Sequence, residues 1–154
     1  MPNNKTKNLD NYSLCYQKAI SLLARREHSR LELSNKLRNK PYAKNIDLAL
    51  LCDHLEASDY LSNERFAEMF VYSRILAGKG ELKIRYELRQ RGISDSLADA
   101  TLLEAEVNWL NLAKEQREKR FGKAIPKDFK ERARQSRFLN NRGFSGQIIR
   151  LVFV

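Results

Sequence analysis

Lys40, Arg91 and Arg142 recur at a spacing of 51 residues (91 − 40 and 142 − 91), and each is followed at once by a residue that stops helices, Pro41, Gly92 or Gly143. Cations at a fixed period can do one kind of chemistry unaided: they bind phosphate or carboxylate and fix where those anions lie. Arg38 and Arg89 stand two residues before the first two of them. More cations crowd the same stretches: Arg25, Arg26 and Lys36 in the first, Lys79, Lys83 and Arg85 in the second, and Lys114, Arg117, Arg120, Arg132, Arg134 and Arg137 in the third. A single cation in the last turn of a helix is explained by the helix dipole, at about 0.3–1 kcal/mol. The rest exceed that need. All are therefore assigned to an anion-binding surface, with Lys83, Arg85, Arg89 and Arg91 at its centre because the middle copy has a neighbour on each side.

The spacing supports no other chemistry. His28 and His54 form no HxxxH pair, and neither Cys15 nor Cys52 has a CxxC or CxxH partner, so the thiols are expected to be reduced and packed. The carboxylate pairs Asp53/Asp59, Glu64/Glu68 and Asp95/Asp99 are spread along helices as solvated faces are, without the convergence a metal-dependent nuclease needs. The chain reads as a non-enzyme with no catalytic residue, cofactor or metal. Tyr86 is the only aromatic inside the second basic run, which favours phosphate or carboxylate contact over base stacking. Trp109, Phe66, Met69 and Phe70 fit core stripes.

Positioning these cations falls to a repeated unit. Leu37, Leu88 and Leu139 share the 51-residue period, and behind each stopper come an apolar residue (Tyr42, Ile93, Phe144) and a second anchor (Ile46, Leu97, Ile148). Three copies of one unit follow from that register. Only six Gly and three Pro occur in 154 residues, so helix is preferred throughout. The expected fold is all-α, an elongated array of three three-helix repeats and nine helices. A disordered start is assigned to residues 1–11 and the repeats to 12–60, 61–107 and 108–154. Ser29 with Glu32 forms a capping box, while Ser62, Ser94 and Ser145 are further caps. The closing LVFV is read as helix by its register. Gln135 occupies the column of Leu33 and Ile84, so the third copy is expected to be looser there.

Charge divides by helix. Residues 25–40 hold six bases and two acids, 79–91 five and two, and 114–142 eleven and four; 43–70 hold two and six, and 95–106 four acids alone. The second helices should thus form a basic ridge, with the acids of the third helices presented elsewhere. The net charge of +10 calls for an acidic partner. No run is long and apolar enough to span a bilayer, and the N-terminus lacks a signal core, so a soluble cytosolic monomer is expected. A general nucleic-acid-binding helical protein is one alternative. A helix-turn-helix regulator over 80–102 is another, although Asp95 and Asp99 at the head of its reading helix would repel phosphates.

Three phrases carry a family resemblance: LLARREHSRLELSNKL at 22–37, DYLSNERFAEMFVYSR at 59–74 and RQSRFLNNRGFSGQII at 134–149. In this order and register they resemble the RecX regulatory proteins, from about residue 14 to the C-terminus. The resemblance implies a helical array lodged in the groove of the RecA filament on DNA, restraining ATP hydrolysis, strand exchange or filament growth; its cations would meet either acidic RecA surface or the phosphates of single-stranded or double-stranded DNA. Ser62 and Asn63 depart from an acidic pair common before the ERFAE run, and Pro41 departs from the glycine of the later copies. The resemblance carries no set of contact residues, so the cations above rest on charge register alone.

Overall fold

Short polar residues stand where helices begin because the first backbone N–H groups of a helix lack partners. Ser29 Oγ accepts from Glu32 N at 3.1 Å, Asp47 from Leu50 N, Ser62 from Arg65 N, Ser94 from Leu97 N, Asn108 from Asn111 N, Asp128 from Glu131 N and Ser145 from Ile148 N. The computed structural model describes residues 4–154, with side chains from Asp10 onward. Those residues form nine α-helices: α1 (Asn4–Arg25), α2 (Arg30–Arg38), α3 (Leu48–Ala57), α4 (Asn63–Leu76), α5 (Glu81–Gln90), α6 (Asp95–Glu104), α7 (Trp109–Phe121), α8 (Phe129–Arg142) and α9 (Gly146–Val152). No strand occurs among them, and of the LVFV segment Leu151 and Val152 end α9 while Phe153 is its C-cap.

The all-α reading holds, with two corrections to its detail. Helical backbone over 4–11 replaces the disordered start, since lengthening a helix already nucleated costs far less than starting one; residues 1–3 lie outside the described residues. In the first copy, Pro41 opens a 3₁₀ turn (Pro41–Ala43) and Asn45 takes a positive φ of 61°. This delays α3, whose cap Asp47 precedes Ser94 by only 47 residues (94 − 47), whereas Ser145 follows at 51 (145 − 94). Ile46 is therefore not the partner of Leu97 and Ile148. The columns that are buried in all three copies are Leu51/Ala98/Ile149 and Leu55/Leu102/Phe153.

The chain divides into two compact units, residues 1–69 with 91–93, and residues 70–90 with 94–154. In unit one, α1, α2 and α3 close over Cys15, Ala19, Leu33, Leu37, Leu51, Cys52 and Leu55, and both thiols are free and buried. In unit two, α7 packs on α8 and α9 around Ala113, Leu139, Phe144 and Val152, with Trp109 against them, while α5 and α6 bury Ile84, Leu88 and Leu102. The period-setting Leu37, Leu88 and Leu139 are all fully buried.

The start of α5 has no side-chain cap; the end of α8 supplies one. Gly80 N donates to Arg142 O at 2.8 Å and Leu82 N to Gly143 O at 3.0 Å, so the positive end of one helix meets the negative end of the other. Glycine is required on both sides. A Cβ on Gly80 would lie 2.3 Å from the Gly143 carbonyl carbon, and one on Gly143 (φ 99°) 2.3 Å from Lys83 Cβ. Within unit one, a Cβ on Gly92 would likewise come 2.8 Å from Leu31 Cβ. The glycine stoppers are points where copies touch, and Asn63 serves the same end by accepting from Arg30 N at 2.8 Å.

Candidate anion-binding surface

The cations proposed from sequence meet four different fates. Several are neutralised at home: Arg26 pairs with Glu32 at 2.8 Å, Arg89 with Asp95 at 3.1 Å, Arg134 with Glu131 at 2.9 Å, and Arg85 with both Glu81 and Asp99. Arg30 spans to Asp53 (2.7 Å) and Glu56 (3.0 Å). Asp53 and Glu56 of α3 and Asp95 and Asp99 of α6 are thus not presented elsewhere; they fold back onto the arginines of α2 and α5. Opposite charge along two packed helices makes that the favourable pairing. The centre of the expected ridge is largely compensated at Arg85 and Arg89. Burial alone would raise the Glu32 carboxyl, but the hydrogen bonds and charge of Arg26 outweigh it and hold its pKa below the usual carboxylate range.

Arg117 is withdrawn from the surface. Only 2% exposed, its guanidinium donates to Lys123 O, Ala124 O and Gln135 Oε1, each at 3.2 Å. Gln135 is itself buried and donates to Glu131 at 3.2 Å. The polar residue in the Leu33/Ile84 column is therefore not a loose spot but the acceptor that lets a long cation pin the 122–126 loop. An arginine on the buried face of α7, one turn after Ala113, was the clue in the sequence.

Other cations brace the α8–α5 junction. Lys83 Nζ reaches Asn141 O at 3.4 Å, and Arg142 donates to Ala77 O at 3.0 Å, meeting the carbonyl end of α4. Lys79 sits beside them, and burial together with the charges of Lys83 and Arg142 lowers its pKa. Arg91 is partly buried.

The remainder keep their charge. Arg120 lies over Phe138 (5.8 Å to the ring centre) and Arg132 over Phe153 (5.0 Å); rings also back two cations already engaged, Arg142 over Phe138 (5.3 Å) and the Glu131-paired Arg134 over Phe121 (5.2 Å), with Phe121 and Phe138 edge to face at 5.3 Å. An aromatic face orients a guanidinium without neutralising it. Arg25, Arg38, Lys40, Lys114 and Arg137 are exposed and make no ion pair among the described residues. Lys36 Nζ lies 2.8 Å from His28 Nε2. Arg25, Lys36 and Lys40 converge on one cleft, joined by Lys18, which lies two turns ahead of the basic run at 25–40 and so was not grouped with it from sequence. Among the described residues no helix is long and apolar enough to cross a membrane, and no group of three His, Cys, Asp or Glu is placed to hold a metal.

Known proteins place the chain. Residues 15–46 match the family described as RecX, first three-helix domain, residues 62–102 the second three-helix domain, and residues 106–153 the third. The regulatory protein RecX of Halorhodospira halophila is 44% identical over 132 residues, covering 86% of this chain and 81% of that protein. That of Pseudomonas fluorescens is 39% identical over 141 residues, covering 92% and 90%. Two crystal structures share the fold at 21% identity: RecX from Lactobacillus salivarius (TM-score 0.75, covering 94% of this chain and 95% of that one) and a regulatory protein RecX (TM-score 0.77, covering 94% and 73%). With all three domains matched in order and close relatives spanning most of its length, the chain belongs to the RecX family of regulatory proteins.

Proposed function

We infer that this chain binds the RecA filament assembled on DNA and restrains ATP hydrolysis, strand exchange and filament growth. It acts as a cytosolic monomer without chemistry of its own. The observation that carries the reading, beside family membership, is the sorting of charge. Acids neutralise Arg30 on α2 and Arg85 and Arg89 on α5, whereas Lys114 and Arg120 on α7, Arg132 and Arg137 on α8, and the cations of the α1–α2 cleft are left for a partner. RecA surface carboxylates and filament phosphates both answer that demand, and binding energy gained against the assembled state appears as altered turnover or dissociation. The repeats 12–60, 61–107 and 108–154 supply successive points of attachment along the polymer.

Co-sedimentation with RecA filaments on single-stranded DNA tests this. The chain should pellet with filaments at a ratio set by RecA, and added salt should release it. Pelleting in proportion to bare DNA, with no gain when RecA is present, would mark it instead as a general nucleic-acid coat.

A further inference from the structure

Unit one carries a cleft of about 490 Å³ between α1 and α2. Lys18 and Arg25 enter it from α1, two turns apart on one face; Lys36 enters from the last turn of α2, and Lys40 from the residues that follow. No carboxylate of the described residues lines it. The acids of this unit that could have done so are engaged elsewhere: Glu32 on Arg26, Glu27 and Asp59 on Arg65, Asp53 and Glu56 on Arg30. Leu22 and Tyr42 supply an apolar wall beside the cations.

One of the cations is held in place from behind. His28 is 1% exposed, and its Nδ1 lies 3.0 Å from Arg26 O. That carbonyl only accepts, so the proton sits on Nδ1 and Nε2 offers a lone pair to Lys36 Nζ at 2.8 Å. Burial lowers the pKa of the ring, and the charges of Arg26 and Lys36 add to that against the opposing hydrogen bond to Arg26 O. A buried neutral imidazole accepting from an ammonium fixes a donor without cancelling its charge.

We propose that this cleft is a phosphate-binding site, filled by a nucleic-acid strand or by a free nucleotide. Helix-dipole compensation explains a cation at the end of α1 or α2 but not Lys18, two turns back from the end of α1. Four positive groups in a space of mononucleotide size exceed what the scattered carboxylates of an acidic protein surface would fill. Phosphates of a strand or of a nucleotide answer four clustered cations, and the aromatic Tyr42 stands in the same lining. The inference stands on unit one alone and survives if the RecA reading fails.

The test uses the full chain without RecA. Binding of a fluorescent oligothymidylate is followed by anisotropy across a salt series, for the wild type, for K18Q/K40Q, and for K44Q/K127Q, which removes two exposed lysines outside the cleft. The cleft variant should bind roughly tenfold more weakly, with a salt slope shallower by about 1.4, at about 0.7 for each phosphate no longer neutralised. The reference variant should change less than threefold. Displacement by nucleoside triphosphate assigns the phosphate to a free nucleotide, and its failure to displace assigns it to the strand. Equal losses in the two variants, or displacement by polyglutamate as effective as by oligonucleotide at matched charge, would overturn the proposal. In the wild-type protein, oligonucleotide should also move the ring signals of His28 and not those of His54, which bonds Tyr12 and does not line the cleft. An unmoved His28 would contradict the site.

Discussion

Single side chains in this fold do more structural work than their charge suggests. His28 is buried neutral, with a folded pKa below its ordinary value of about 6.5. Its contribution is therefore complete above that value and declines as the pH falls, because the unfolded chain takes up the proton first. Between pH 7 and 5.5, urea denaturation of the wild type should show stability falling by up to about 1.4 kcal/mol per pH unit, and H28Q should flatten that decline. Arg117 and Gln135 form a second dependent pair. Q135L alone removes one of the three acceptors of a buried guanidinium and should cost about 1–3 kcal/mol, whereas adding R117L, which extends the apolar column of Leu33 and Ile84 but leaves the Lys123 and Ala124 carbonyls without their donor, should cost less on the Q135L background than on the wild type. A double-mutant cycle with no coupling would show that the hydrogen bond contributes nothing.

At the scale of elements, the stoppers matter more than their helix-ending role. Gly143 holds φ at 99° against Lys83, and Gly80 lies against the Gly143 carbonyl, so G143A and G80A should each destabilise unit two by about 2 kcal/mol or more. Nothing lies within 4 Å of a Cβ on Gly122, so G122A should cost only its backbone strain at φ 88° and ψ 175°, about 1–2 kcal/mol. Thermal melts of the three variants would rank them; a G80A melt no lower than that of G122A would remove the junction from the account. Much of this was legible in the residues. Caps at Ser29, Ser62, Ser94 and Ser145, the buried leucine column and the nine helices all follow from local rules that the fold does not override. The late start of α3 did not, because a proline and a left-handed asparagine reset the register by four residues. Nor did the pairing of α3 and α6 acids with α2 and α5 arginines, since charge counts along a chain do not say which helix faces meet. Lys18 escaped for the same reason: its neighbours are close in space and distant in sequence.

For the molecule as a whole, net charge of +10 is less informative than its distribution. Ion pairs absorb Arg30, Arg85 and Arg89, while Lys114, Arg120, Arg132, Arg137 and the α1–α2 cleft keep their charge beside rings, a neutral histidine or solvent. Partner binding should therefore be lost with K18Q/K40Q and with R120Q/R137Q but change little with R89Q, whose charge Asp95 already meets. Filament co-sedimentation at fixed salt would read that order. The central claim is tested most directly by RecA-catalysed ATP hydrolysis on saturating single-stranded DNA, titrated with the chain. Inhibition should be complete below one molecule per RecA protomer and should weaken with salt; hydrolysis that is unchanged, or that falls only once the DNA itself is coated, would contradict it.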